Sequence, residues 1–588
     1  MDHLPSTNPG APREMEGAPE QSEGNGGRLL LVLVGVMLLH RIPLLLQRGF
    51  DVDELQHLHG AYSISRGLTP HVDYFEHHSS WFAWLLSGPL ELIGPSWTAV
   101  MVSRGLMAAC AAAGLMLTFA LARRFGGGLV PAVAVALHAT TLLFVDKSLE
   151  IRPDVPAAAL WTLAVLLTVD GLRGGPRRSF AGAGTALGFG LLFTFKLAFG
   201  AIGLGLAVLY TQFRSGGLAG VRKGVPDLVT LVAWSALPLV LMLLSLAHQD
   251  QLAAFVSEVI VGPMNWPREL DPREYLGALL LGNPLLIGAG LLGLMELTVV
   301  ARTNDDRAPA AAVAVLASCS ILAGWFTIPV PWPQFLMPLW PLLACAAATA
   351  LASLGAASGR ALLARCAMVL AAVGVAAVLL PISRSELLEP LGVAALAGMF
   401  GLAAWRAGSG LGVAVALGGA LAAYGAMHFL RPGEVLGTAL VALGAFCLLA
   451  AVARSSGAQA RMAAGAAALC AFPLIELGRM AEERPIEEFR AQFDFVSAEL
   501  GPDDTVLTGW TGCAAFQPHA YRYFFLHRGM LRSLDEEAKD AAVLRALESD
   551  PPAAVIRDAG VLGLGPGVQA FIDAHYAPSG VGDIWLAR

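Results

Sequence analysis

Charge is the scarcest feature of this chain. Only 14% of its 588 residues are Asp, Glu, Lys or Arg, against 56% hydrophobic, whereas a soluble domain carries about 25% charged residues. That shortage excludes a soluble fold. No excess of basic residues offsets it, since the formal net charge of -7 is spread thinly along the sequence; a nucleic-acid partner is therefore not implied. Cysteine is also sparse. Cys110, Cys319, Cys345, Cys366, Cys447 and Cys470 lie inside apolar runs, and Cys513, in polar surroundings, has no second cysteine near it. A disulfide framework is excluded.

What the chain has in quantity is apolar length. A run of about 20 residues crosses a hydrocarbon core of about 30 Å, and such runs occur at roughly 29–47, 97–122, 128–145, 155–172, 180–195, 197–212, 226–247, 276–300, 309–328, 335–354, 361–380, 391–406, 411–430, 434–453 and 461–478. Residues 1–28, rich in Pro, Gly, Glu and Ser, read as a disordered tail. Basic residues gather in alternate short loops, among them Arg123 and Arg124, Arg173, Arg177 and Arg178, Arg222 and Lys223, and Arg302 and Arg307. By the positive-inside rule the N-terminus is cytoplasmic, and 48–96, 146–154, 248–275, 329–334 and 479–588 lie on the opposite side. This parity requires 81–94 not to cross. Fourteen residues with an internal Gly-Pro suit an interfacial or re-entrant helix.

From about Arg479 the composition changes: "PIEEFRAQFDFVSAELG" and "SLDEEAKDAAVLRALESD" have helical periodicity, and "DTVLTGW", "AAVIRD" and "DIWLAR" read as short strands. The expected fold is a polytopic α-helical membrane protein of about 15 spans with a small C-terminal extracytoplasmic α/β domain. Its parts are a cytoplasmic tail (1–28), a membrane module (29–345), additional transmembrane helices (346–478) and the external domain (479–588). The localisation that follows is the cell inner membrane, multi-pass.

The loop between the first two runs holds the chemistry. Residues 50–86 contain five acidic residues and five histidines. Asp51 and Glu54 have capping-box spacing for a helix that continues to Gly67, and Asp53 falls in its first turn, where the helix dipole favours the ionised carboxylate. Capping accounts for these three and leaves Asp73, Glu76, His77 and His78 unexplained. Two further places carry isolated charge: "SLEIRPD", with Glu150, Arg152 and Asp154, and "FGLLFTFKLAFG", with the lone Lys196 between two apolar segments. Charge at such depth is costly and usually marks a partner.

These residues carry a resemblance. "F-x-x-DE" after the first run, then "DYFEHHSSWFAWLL", "LEIRPDVPAAALWTLAVLL", "FGLLFTFKLAFG" and "QFLMPLWPLL" occur in the order seen in the GT-C glycosyltransferases. The chain is most similar to bacterial relatives of the protein O-mannosyltransferases and of the lipid A aminoarabinose transferase, over about 30–345. Two departures stand out, Gln334-Phe335 where the family often has Arg-Tyr, and Ser79-Ser80 where a Pro pair is common. The resemblance implies a catalytic membrane module at 29–345 that moves a sugar from a polyprenyl-phosphate donor to an acceptor hydroxyl of a lipid, glycan or protein on the extracytoplasmic face.

That chemistry needs a carboxylate to take the hydroxyl proton and positive charge at the departing phosphate. Asp53, with Glu54 beside it, is the candidate base. Glu76, His78, Glu150, Arg152, Asp154 and Lys196 are candidate substrate-binding residues, with Lys196 and Arg152 for phosphate and Glu150 or Asp154 for sugar or metal. A divalent metal held by Asp53, Glu76 and His77 stays open, as some members of the superfamily use an ion and others do not; no cofactor is certain. The external domain has no catalytic constellation of its own and is expected to shape acceptor access while leaving donor binding alone. The alternative reading is a transporter or flippase of a lipid-linked glycan, but the charges sit in external loops and no internal repeat is evident.

Overall fold

The computed structural model describes residues 35, 39, 41, 42, 44–266, 275, 283–356, 486–509, 512–524 and 536–588. The tail at 1–28, the domain boundary near 479 and the spans expected from 361 to 478 lie outside them. Five of the described helical segments are long and apolar enough to cross a membrane: Trp97–Ala122, Asp154–Leu172, Leu197–His248, Ala308–Thr327 and Pro333–Ser353. The total of about 15 therefore remains a reading of the sequence.

Helix α1 (Val52–Ser65) opens with the expected capping box: Asp51 accepts the Asp53 N–H at 3.0 Å, and Glu54 accepts the Asp51 N–H at 3.0 Å. It stops where Gly67 takes φ 82°, a left-handed turn that suits glycine. Helix α2 (Trp81–Ile93) buries Phe82, Ala83, Leu86 and Leu90 and exposes Trp81, Trp84, Leu92 and Ile93. At 13 residues it is about 20 Å long, too short for a full crossing. Helix α3 (Trp97–Ala122) begins at its Ser96 cap, with the expected boundaries.

Two expectations fail here. The run 128–145 is not one span: it forms α4 (Val130–Ala139) and α5 (Leu142–Lys147), separated where Thr141 turns to extended backbone. The Thr140 and Thr141 hydroxyls donate to the carbonyls of Ala136 and Leu137, so side chains supply the contacts that let the helix end. Helices α6 (Asp154–Leu172) and α7 (Arg178–Phe193) follow. The segment expected as a loop between 212 and 226 is instead helical within α8 (Leu197–His248), broken only at Gly216 and Gly217, the latter at φ 58°. Gly224 lies against Gln212 and Gly205 against Leu228, so the halves fold back on each other. Apolar periodicity marks where a helix meets lipid, whereas its hydrogen bonds carry it beyond the apolar stretch.

After a short helix (Leu252–Phe255) and a π-helical turn (Val256–Val261), the described membrane helices are α9 (Pro284–Val300), α10 (Ala308–Thr327) and, after a 3₁₀ segment (Pro333–Leu339), α11 (Trp340–Ala356). Trp161, Trp325 and Trp340 are fully buried among them, and the Trp161 indole donates to the Pro338 carbonyl at 2.8 Å.

The C-terminal part builds a four-stranded sheet, order β1-β2-β4-β3, from β1 (Val506–Thr508), β2 (Ala554–Ile556), β3 (Tyr576–Pro578) and β4 (Ile584–Ala587). β1 and β2 run parallel and the other pairs antiparallel. The strand missing from the sequence reading is β3, a three-residue edge strand ending in proline, which only an edge tolerates. Helix α12 (Ile486–Glu499) leads into this sheet and packs near the starts of α1 and α3, Phe489 against Phe50 and Phe493 against Trp97. His59 of α1 donates to the Ala515 carbonyl at 3.1 Å. Cys513 is buried, His519 is held by backbone groups of Thr508 and Tyr521, and His527 lies outside the described residues.

Candidate active site

The start of α1, the loop 69–80, the segment 146–154 and the break between α7 and α8 come together. Arg152 is the hub. Its guanidinium lies 2.8 Å from Asp53, 3.1 Å from Glu150, 3.5 Å from Asp51 and 3.7 Å from Asp154. Glu150, fully buried, also takes Lys147 at 2.9 Å and Arg48 at 2.8 Å. Although burial opposes ionisation, Lys147, Arg152 and Arg48 hold its carboxyl down at about 2.

Asp53 and Glu54, adjacent in sequence, are used differently. Glu54 is fully buried: both its oxygens face Arg104 of α3, at 2.7 and 2.8 Å, and it accepts N–H groups of Asp51 and Ile151 as well. Arg104 in turn donates to the carbonyls of Leu45, Arg48 and Gly49. Asp53 keeps 29% of its side chain exposed. Burial pushes its carboxyl up, but Arg152 and His78 outweigh that and hold it below the ordinary carboxylate value, so it is ionised at neutral pH. Asp51 goes the other way, raised to about 6 by burial and by Glu150 and Asp53.

Lys196 occupies the non-helical break before α8, partly buried, with its Nζ 3.1 Å from the centre of the Phe335 ring. Among the described residues no carboxylate lies within 4.0 Å of it. Burial lowers its ammonium to about 8, with Asp154 and Asp53 opposing and Arg152 adding to the fall.

The loop 69–80 brings Glu76, His77 and His78 together, their ligand atoms all within 4.8 Å of one another. Glu76 accepts the His78 N–H at 2.9 Å, and His78 Nδ1 lies 3.3 Å from the same oxygen. Burial raises the Glu76 carboxyl and lowers the His78 imidazole to about 4, and it holds His57, which packs against His78 and Phe82, far below its usual value. Two imidazoles beside a carboxyl group are a donor set that could hold a divalent ion. Asp53, engaged by Arg152, is not in that group. Asp73 is a turn residue that accepts the Thr69 N–H.

Several partners escaped the sequence reading. Arg104 had a signal, a lone charge inside an apolar run like that of Lys196; Arg48 and Lys147 flank such runs. Glu258, which accepts the Glu76 N–H at 3.2 Å, had none.

The model of the dolichyl-phosphate-mannose-protein mannosyltransferase family matches residues 77–233. No curated protein matches the chain by sequence. Solved structures of ArnT from Cupriavidus metallidurans match it at 15% identity: the apo state with TM-score 0.57 over 95% of this chain and 97% of that one, and the form bound to undecaprenyl phosphate with TM-score 0.56 over 97% and 98%. The chain has the GT-C fold. The family match is shorter than the 30–345 over which the GT-C motifs run. It includes Glu150, Arg152, Asp154 and Lys196 and begins after Asp53.

Proposed function

We propose that this protein is a membrane glycosyltransferase that moves a sugar from a polyprenyl-phosphate donor to an acceptor hydroxyl on the extracytoplasmic face. The observation that carries the reading is Lys196. A partly buried ammonium over an aromatic ring, with no carboxylate in reach among the described residues, is a site prepared for an anion. Arg152 is already surrounded by carboxylates, which favours Lys196 as the group that meets the phosphate and Arg152 as the group that orients Asp53. Glu54, with both oxygens occupied, holds the start of α1 to α3.

In this scheme the acceptor oxygen forms a bond to the anomeric carbon as the bond from that carbon to the phosphate oxygen breaks. The hydroxyl proton passes to Asp53, and the phosphate leaves with its charge against Lys196. Pairing with Arg152 keeps Asp53 a weak base, so proton transfer comes late, when the new C–O bond has made the hydroxyl acidic. Glu76 and His78 face the same space and bind the sugar or acceptor. Incubating the purified full chain with a labelled polyprenyl-phosphate sugar and an acceptor extract tests the proposal. Release of polyprenyl phosphate that Asp53→Asn abolishes supports it; no release across a panel of donors, or equal release by the variant, overturns it.

A further inference from the structure

The loop that carries Glu76, His77 and His78 has almost no regular structure, only an isolated bridge between Pro70 and Tyr74. It also contains His71 at φ 67°. A residue with a Cβ is strained there by roughly 1–2 kcal/mol, and such conformations persist where the surroundings over-determine them.

Two residues distant in sequence supply those surroundings. Glu258, on the π-helical turn, has one carboxylate oxygen 3.0 Å from His71 Nδ1 and 3.2 Å from the Glu76 N–H. Its other oxygen takes Arg522 at 2.6 Å. Arg522, from the C-terminal domain, donates to the carbonyls of His71 at 2.7 Å and Val72 at 3.0 Å, and its own carbonyl accepts the Phe75 N–H at 3.0 Å. The His71 ring meets Phe255 edge-on, and Phe75 packs on Tyr523. Residues 71, 72, 75 and 76 are thus all held by Glu258 or Arg522, immediately before His77 and His78.

We propose that Glu258 and Arg522 are positioning residues that clasp this loop, so that the C-terminal domain sets the geometry of Glu76 and His78 as well as bounding the acceptor's approach. This rests on the function proposed above. The clasp departs from the expectation that the domain leaves the donor side alone, because it reaches the residues nominated to bind substrate. Its polar part is interchangeable in charge but not in shape: a lysine at 522 can face Glu258, yet lacks the fork that spans two carbonyls and a carboxylate.

The test uses the full chain with Arg522→Ala, Arg522→Lys and Glu258→Gln, each checked for monodispersity and thermal unfolding. Two readouts are taken: hydrogen exchange of the 69–78 amides, and kcat and KM for the labelled donor. Arg522→Ala is expected to speed exchange across 71–78 while leaving 97–122 unchanged, and to lower kcat on the order of 10²-fold, the cost of misplacing a reacting group by about 1 Å. Arg522→Lys should recover part of both. Should Arg522→Ala fail to fold, Glu258→Gln, which keeps side-chain size, is read in its place. Wild-type exchange in the loop, or wild-type kcat, overturns the clasp. A wild-type chain with no turnover sinks the proposed function instead, and the exchange data then decide the clasp alone.

Discussion

Two adjacent carboxylates at the start of α1, Asp53 and Glu54, meet their charges in opposite ways. At Glu54 every oxygen is taken, by Arg104 and by two N–H groups, and no surface is left to solvent. At Asp53 one ion pair to Arg152 leaves part of the carboxylate open, on the side where Lys196 has an aromatic ring and, among the described residues, no carboxylate. A saturated buried pair is scaffold, since its removal leaves an orphaned charge. A half-satisfied pair beside an unmatched cation is where a substrate can complete the electrostatics.

Substitution can break that contrast. The largest effect is expected from Asp53→Asn: turnover of the labelled donor falls by on the order of 10²–10⁴, while donor binding and thermal unfolding stay near wild type. Full activity would return Asp53 to the role of a helix-start charge. Next comes Glu54→Ala, which strands Arg104 and should destabilise the protein by about 3–5 kcal/mol, read as a lower unfolding temperature or lost expression. A stable, active variant would erase the division between the two carboxylates.

Lys196→Met should weaken donor binding about tenfold to a hundredfold, the span of hydrogen bonds to charged groups, with thermal stability unchanged or raised because no ion pair among the described residues is lost. Equal affinity would remove Lys196 from the phosphate site. The same residue gives a pH signature. With its ammonium at about 8 in the free protein, the charge is present below that pH and is lost as pH rises through it, so kcat/KM should decline above about 8. The decline should be absent in Lys196→Met. The smallest effect belongs to Asp51→Asn, since Asn caps about as well as Asp; stability should change by less than about 1 kcal/mol and turnover little.

Much of this contrast was legible before any fold was known, and the parts that were not share a cause. The capping box reads directly because it joins residues three apart. The limits of Trp97–Ala122 read directly because a serine cap opens an unbroken apolar run. Lys196 stood out for being alone. By contrast, the pairing of Glu54 with Arg104, of Asp53 with Arg152, and of Glu258 with Arg522 joins residues 50, 99 and 264 apart, and no periodicity encodes such choices. The break at Thr140–Thr141 was missed because its apolar flanks are continuous on either side.

By itself the sequence determined that the chain is a membrane protein, where its charges are concentrated, how α1 begins and which loops carry chemistry. These follow from local hydrogen bonding and from the cost of placing polar groups in hydrocarbon, and both act over a few residues. Only the tertiary structure decided which carboxylate is scaffold and which stays open, that Lys196 meets Phe335 and no acid among the described residues, and that a residue of the C-terminal domain grips the loop of Glu76 and His78. Electrostatic partnership depends on distance in space, and that distance is set only when the helices pack.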